Sequence, residues 1–455
     1  MEIGFETIGN ATIIAYDRGP VLATDPWVRG GAYFGSWGLA HQIPAAQMEA
    51  VLGCPYVWFS HGHPDHLNGD SLELCKGKVI LLPNHSGQRI RRDLGTAGFD
   101  VRVLPDRRWV PLSDRVRVLC IADEAQNGIL LLDVNGRLLV NLNDGIDRGW
   151  GRFVRKVVRR YETSILLALT GYGDADMINF RDEDGNLIEP PAGKRFPIGP
   201  MVARKTESFG CRFFVPFSSM HCYQRSDSVW ANRFATPVED HYKGFSSERC
   251  KMLPAFIHYD CSDDSHRSLD PEPTPPRVVD CKEFGDDWSE SLSHDEFQTV
   301  RNYFQAFHHL PTFLDFVNVR VGGKDHRIEF KRRGFDRGVT FEVPRASLMD
   351  AVQYEVFDDL LIGNFMKTTL HGRWPQTQLY PEFTPYVTKY GDNGQARTRA
   401  ELRAYFLDYL RRAPLATLHH WLEERCTNAV RAVTPHDSET YIRLKKAYWQ
   451  VKAYV

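Results

Sequence analysis

Over the first half of the chain, apolar residues recur in short runs with a period of two, and this pattern predicts strands. Thr7 to Tyr16 and Pro20 to Thr24 read as two strands parted by the turn Asp17-Arg18-Gly19. Further strands are expected at residues 56–60, Lys78 to Leu82, Val101 to Leu104, Val116 to Ile121, Ile129 to Asp133 and Leu138 to Asn141. The last two are joined by Asn135-Gly136, a dipeptide suited to a tight hairpin. Between them lie helical segments, Ala45 to Leu52 and the basic, amphipathic Ser86 to Leu94. Residues 152–161 set Arg152, Lys156 and Arg159 on one side and Phe153 and Val157 on the other, a helix with a solvated basic face. Asp182 to Pro200, rich in Pro, Gly and charge, reads as a loop.

The pattern changes at Ser262 to Pro276, which holds Asp263-Asp264-Ser265 and the run Pro271-Glu272-Pro273-Thr274-Pro275-Pro276. Such a stretch predicts a linker over 262–276. Beyond it, Ser293-His294-Asp295-Glu296 has the spacing of a capping box and opens a helix through Phe307. Residues 313–343 give three strand-like runs divided by Gly322-Gly323 and Gly334. Helices are expected at Arg345 to Tyr354, 398–412 and 438–451. Two units follow, 1–261 and an α+β unit over 277–455, with no internal repeat.

Length agrees, since 455 residues exceed one ordinary domain. A hydrophobic share of 42% and a charged share of 25% are those of a globular protein. The net charge of −2 gives no electrostatic reason to expect nucleic acid or an anionic membrane as a partner. No apolar run approaches a membrane span, and Met1-Glu2-Ile3-Gly4 lacks a secretory pattern. The 9 cysteines are scattered, without Cys-x-x-Cys, which predicts reduced thiols in a cytoplasmic protein and no iron–sulfur cluster within this chain.

The candidate chemistry is concentrated in His61-Gly-His63-Pro-Asp65-His66, directly after Tyr56-Val57-Trp58-Phe59. Imidazole and carboxylate are ligands of divalent transition metals. Alternation places His61 and His63 on one face, where they can hold one ion, while Asp65 and His66 reach a second after the turn. Trp27, Tyr33, Phe34, Trp37 and Tyr172 are candidates for a pocket lining or for core.

His-x-His-x-Asp-His after a buried strand resembles the signature of the metallo-β-lactamase superfamily. The resemblance implies a four-layer αββα sandwich, here followed by the C-terminal α+β domain, with a one- or two-metal site at the sheet edges. It implies that Asp25 supports a metal ligand from behind. It also makes Asp144 the carboxylate bridging both ions and His221, after the strand Arg212 to Phe217, the last ligand. The chain departs from the hydrolases of this fold at the middle ligand. No histidine lies between Val101 and Asp144. Glu124 falls nearest the missing position, with Asp123 one residue away. His85, at a helix start, is the nearby histidine and reads as packing. The implied metal set is His61, His63, Asp65, His66, Glu124, Asp144 and His221.

A carboxylate in place of imidazole suits harder iron or manganese ions. Within the superfamily, this resembles the di-iron β-hydroxylase of chloramphenicol biosynthesis. The more extended likeness is to the β-lactamase-like part of the CMP-N-acetylneuraminate hydroxylases, over Asp25-Pro26-Trp27, Ser60 to Leu67, Asn141 to Asp144, residues 172–176, Val215-Pro216-Phe217 and residues 380–383. The expectation is therefore a non-haem di-iron monooxygenase hydroxylating a small molecule with O₂. Asp65, Glu124 and Asp144 would serve the chemistry, and electrons would come from a separate ferredoxin or reductase. The alternative is a binuclear zinc or manganese hydrolase of an ester, lactone or phosphodiester, with Asp65 orienting a metal-bound hydroxide.

Overall fold

A computed structural model describes residues 2–171, 177–330, 334–374, 379, 383–391, 393–434 and 440, 443, 444, 447 and 448. The resemblance segment 172–176 with Tyr172, most of 380–383, and most of the expected helix 438–451 lie outside the described residues.

Two sheets form the centre of the N-terminal unit. One has eight strands in the order Ser265–Ser268, Ile257–Asp260, Ile3–Ile8, Thr12–Asp17, Pro20–Thr24, Tyr56–Trp58, Val79–Leu82 and Asp100–Val103. The other has seven, in the order Lys251–Met252, Phe213–Pro216, Thr163–Ala168, Arg137–Asn143, Gly128–Val134, Val116–Ala122 and Trp109–Pro111. Strand alternation explains the layers. Leu130, Leu132 and Val134 face the first sheet and join Phe5, Ile13, Leu22 and Trp58 in one core. Ile129 and Leu131, one residue out of phase, face the opposite side and pack with Val154, Val157 and Val202 on the helices Gly151–Val158 and Ile198–Phe209. The first sheet is backed in turn by Ala45–Gly53 and Arg89–Thr96. The order is helix, sheet, sheet, helix.

Several expectations differ in detail. Thr7 to Tyr16 is not one strand: Gly9, at φ +58, turns the chain back, and Ile3–Ile8 pairs with Thr12–Asp17 as a hairpin. The basic face formed by Arg152, Lys156 and Arg159 is exposed as expected, while Arg155, which is not part of that face, is buried against Asp147. Within 262–276, Ser265–Ser268 pairs with Ile257–Asp260, and Gln42 N and Ala40 O hydrogen-bond Glu272 O and Thr274 N. Backbone pairing thus ties part of this Pro-rich stretch to the sandwich.

The C-terminal residues build a third sheet. Phe316–Val321, Lys324–Glu329 and Arg337–Glu342 match the three expected runs, and Lys367–Gly372 and Phe180–Arg181 complete it. Phe180–Arg181 lies just before the stretch read as loop, so the N-terminal half lends this sheet its edge strand. The Ser293–Glu296 capping box is present at the helix His294–Gln305. Phe304, Phe341, Phe357 and Leu360 lie at the centre of this unit's core. Short helices at Phe357–Ile362 and Thr384–Tyr390, and the long helix Pro414–Val433, went unread in the sequence pattern. Arg225, fully buried, pins this unit to the sandwich through Asp286, also fully buried, at 2.7 Å.

Candidate metal centre

The strand Tyr56–Trp58 ends at the edge where both sheets open, and the turn that follows carries the histidine motif. His61 Nε2 lies 2.8 Å from His63 Nδ1 and 3.6 Å from Asp144 Oδ2. Two ring nitrogens this close repel each other unless a proton or a metal ion lies between them. His66 Nε2 lies 3.3 Å from Asp65 Oδ2 and 3.5 Å from Asp144 Oδ2, buried and without a hydrogen bond of good geometry. Asp144 therefore stands between the His61 side and the His66 side. Ser218 Oγ holds its other oxygen at 2.8 Å. This convergence of lone-pair donors fits metal ions.

The electrostatics follow from that crowding. Burial, then the neighbouring His66 and His63, pushes His61 well below the ordinary histidine range, so its ring is neutral. Burial also pushes His66 down, but Asp65, Asp144 and Asp25 outweigh it and draw that ring well above the usual range. Burial acts against the Asp144 charge, yet His66 and His61 hold this carboxyl below its ordinary value.

The surroundings fix the ring orientations. Asp25, at φ +39, accepts a hydrogen bond from Ser60 N at 2.7 Å, and its other oxygen lies 3.1 Å from His66 Nδ1. Asn143 Nδ2 donates to the same carboxylate at 2.6 Å. Ser60 Oγ lies 2.8 Å from His61 Nδ1. Asp65 accepts from Tyr33 Oη at 2.5 Å and from Asn10 Nδ2 at 2.9 Å. Asn10 and Tyr33 were not singled out as ligand supports in the sequence. Asn10 sits in the hairpin turn read as continuous strand, and contact of either with Asp65 depends on the fold. Replacing Tyr33 by Phe leaves a buried carboxylate short of a donor and should lower stability by about 1.5–3 kcal/mol in urea unfolding. An unchanged midpoint would count against that bond.

The other candidates are more spread out. His221 is buried with its ring stacked on Trp37 at 3.4 Å, and Trp37 in turn meets Tyr33 at 4.5 Å. His85, as expected, is a packing residue: its Nε2 backs Ser60 O at 3.3 Å, and burial pushes its pKa down to about 4. Glu124 departs from the expectation. Asp123 accepts hydrogen bonds from Ala125 N and Asn127 N, curling the loop on itself. Glu124 is thereby directed to the helix Pro414–Val433, with His420 Nε2 at 3.1 Å and Trp421 Nε1 at 3.2 Å. Its carboxylate clusters with His420 and Glu424, whereas His61 and His63 cluster with Asp144. This arrangement predicts that Glu124→Ala loosens the C-terminal helix and leaves metal content intact by elemental analysis. Loss of one ion would return Glu124 to the metal shell, the place its sequence position suggests.

Among the described residues, the C-terminal unit also reaches the centre. His63 Nε2 lies 3.0 Å from Asp358 Oδ2, and Asp359 stands in the same cluster. On the His221 side a cavity of about 820 Å³ is lined by His41, Ser219, His221, Thr236 and Phe256 among others.

With two face-to-face sheets, helices outside, and the His-x-His-x-Asp-His turn at their open edge, the architecture is decided. The fold is the metallo-β-lactamase sandwich. No family model matches the chain. The cytidine monophosphate-N-acetylneuraminic acid hydroxylase of Asterias rubens is 25% identical over 142 residues, 29% of this chain and 22% of that protein. The match thus spans about a fifth of that hydroxylase. Among solved structures, CmlA, a diiron β-hydroxylase from Streptomyces venezuelae, is 17% identical with a TM-score of 0.33, covering 48% of this chain and 45% of that one. The isothiocyanate hydrolase from Delia radicum gut bacteria is 14% identical with a TM-score of 0.34, covering 55% and 96%.

Proposed function

We propose that this protein is a non-haem di-iron oxygenase that hydroxylates a small molecule. The observation that carries the reading is the donor set: buried imidazoles share their site with Asp65 and Asp144, and the middle histidine of the hydrolases has no counterpart between Val101 and Asp144. With one imidazole fewer than the hydrolases carry, this set of four imidazoles and two carboxylates is weighted more towards oxygen than theirs, which shifts preference towards harder ions such as iron. His61, His63 and Asp144 would hold one ion, and Asp65, His66, Asp144 and His221 the other. Such a pair of ions, when bound, supplies activation of O₂. The chain's own residues do the rest. Tyr33 and Asn10 orient Asp65, Asp25 and Ser60 orient the rings, and the cavity beside His221 receives the substrate while burial of the ligands limits water. Electrons would come from a separate ferredoxin or reductase. We further assign residues 1–261 to the metal-binding domain, with Ser265–Ser268 completing its sheet, and 277–455 to the C-terminal domain, whose sheet borrows Phe180–Arg181 as an edge strand.

The test is isotopic. Iron-loaded, chemically reduced protein should consume O₂ and, with substrate, place oxygen from ¹⁸O₂ rather than from labelled water in the product. Faster turnover of a generic ester or phosphodiester by the zinc-loaded protein would replace this reading with a binuclear hydrolase. Zinc found after overexpression decides nothing, because the affinity order favours zinc over ferrous iron whatever the function.

A further inference from the structure

Each histidine of the motif presents one nitrogen to the centre and has a polar partner at the other. For His61 the outer nitrogen is Nδ1, with Ser60 Oγ at 2.8 Å. For His66 it is also Nδ1, with Asp25 Oδ2 at 3.1 Å. For His63 the order is reversed. Its Nδ1 faces His61 Nε2 and the centre, and its Nε2 faces outward, 3.0 Å from Asp358 Oδ2. The first two partners belong to the sandwich. The third comes from the other unit, at the start of the helix Phe357–Ile362.

We propose that Asp358 is a positioning residue that fixes His63 in the Nε2–H tautomer with its Nδ1 lone pair turned to the metal, so that docking of the C-terminal unit sets the affinity of the ion on the His61–His63 side. The inference rests on the metal-site reading above. A neutral imidazole carries one N–H, and a metal ion needs the lone pair of the other nitrogen. A carboxylate on Nε2 accepts that N–H, selects the tautomer, and raises the basicity of Nδ1. Asp358 is suited to this and poorly placed to be a ligand of the same ion, because it meets the ring nitrogen that points away from Asp144. Its second oxygen, Oδ1, is buried and has no hydrogen-bond partner among the described residues. With 4% of its surface exposed, this carboxylate has little water to satisfy it, and His63 is the cationic or N–H-bearing group it touches. The helix is held in place by contacts remote from the metal. Ser36 Oγ donates to Gly363 O at 2.6 Å, Asn364 Oδ1 accepts from Ile178 N at 2.9 Å, and Phe357 and Leu360 are fully buried in the C-terminal core. The metal site and the docking of the C-terminal unit therefore share one lever, the Asp358–His63 bond.

The experiment uses the full chain and two variants, Asp358→Ala and Asp358→Asn, with folding checked by circular dichroism and thermal melting. Long-range ¹H–¹⁵N spectra of metal-free protein with labelled histidine, assigned against His63→Gln, report the tautomer. The wild type should show His63 protonated on Nε2, and Asp358→Ala should mix the tautomers. Asp358→Asn, whose amide oxygen still accepts the N–H, should keep the wild-type form. Titration with cobalt(II) against a chelator should then show one ion weakened about 10–100-fold in Asp358→Ala and less in Asp358→Asn, with the second ion unaffected. The proposal is overturned if His63 carries its proton on Nδ1 in the wild type, or if folded Asp358→Ala keeps both tautomer and affinity. Complete loss of one ion in both variants would also overturn it, since Asp358 would then be a ligand. If the wild-type protein binds no metal, the metal reading fails by elemental analysis. The tautomer signal still decides whether Asp358 fixes the ring.

Discussion

Asp144→Ala should release both metal ions together, taking the content from two per chain to none. The carboxylate stands between the two histidine clusters, with one oxygen 3.6 Å from His61 Nε2 and 3.5 Å from His66 Nε2. A carboxylate in that place would be shared by the two ions. Its removal therefore costs each ion a charged ligand at once, whereas loss of His61 or His66 should affect mainly one. The variant should still fold. The alternating apolar strands that build the sandwich core do not include Asp144, and taking away a half-buried carboxylate removes some desolvation cost along with its ion pairs. Elemental analysis of the purified variant, before and after incubation with metal, is the measurement. A variant that keeps one ion would make Asp144 a terminal ligand and break the binuclear assignment.

The second large effect is expected at Arg225. Its guanidinium holds Asp227 in a fork at 2.8 and 3.1 Å, reaches Asp286 at 2.7 Å, donates to Phe34 O at 3.0 Å, and stacks 3.9 Å from the Phe365 ring centre. Asp286 in turn accepts from Ser347 N at the start of the helix Arg345–Gln353. Arg225→Ala leaves a fully buried carboxylate without its cation, and breaking such a pair costs about 3–5 kcal/mol. Denaturant unfolding should show that loss. Because Arg225 ties the two units together, the C-terminal unit should also become easier to cleave away. Arg225→Lys keeps the charge and loses the fork, so it should fall between the two. A loss under about 1 kcal/mol for Arg225→Ala would mean that water enters the pocket and satisfies Asp286.

Much of the sandwich was legible because it depends on near-neighbour patterns. Residues two apart along Gly128–Val134 share a face whatever surrounds them, so the two-sided burial of Leu130, Leu132, Ile129 and Leu131 follows from their order. The capping box at Ser293 is a contact between residues three apart and was equally readable. The helix Pro414–Val433 was missed, since its start at Pro414 reads as a break while proline is well tolerated in a first turn. The short helix Phe357–Ile362 was missed because its six residues are too few to show a period; its buried face is defined by the C-terminal core.

The metal site divides along the same line. His61, His63, Asp65 and His66 lie within one turn of chain, so their spacing alone brings them to a single point, and the sequence determined that much of the centre. Which residues hold them could not be read from spacing. Asn10 reaches Asp65 across 55 positions, Tyr33 across 32, and Asp358 reaches His63 across 295. Glu124 illustrates the converse: its position before a strand suggested a ligand, but the Asp123 turn and a helix almost three hundred residues away, at His420, direct its carboxylate elsewhere. Local order and period are written into the chain because they depend on covalent geometry and side-chain alternation. Partners at long separation depend on how whole layers pack and where a second unit docks, and for this protein only the tertiary structure decided them.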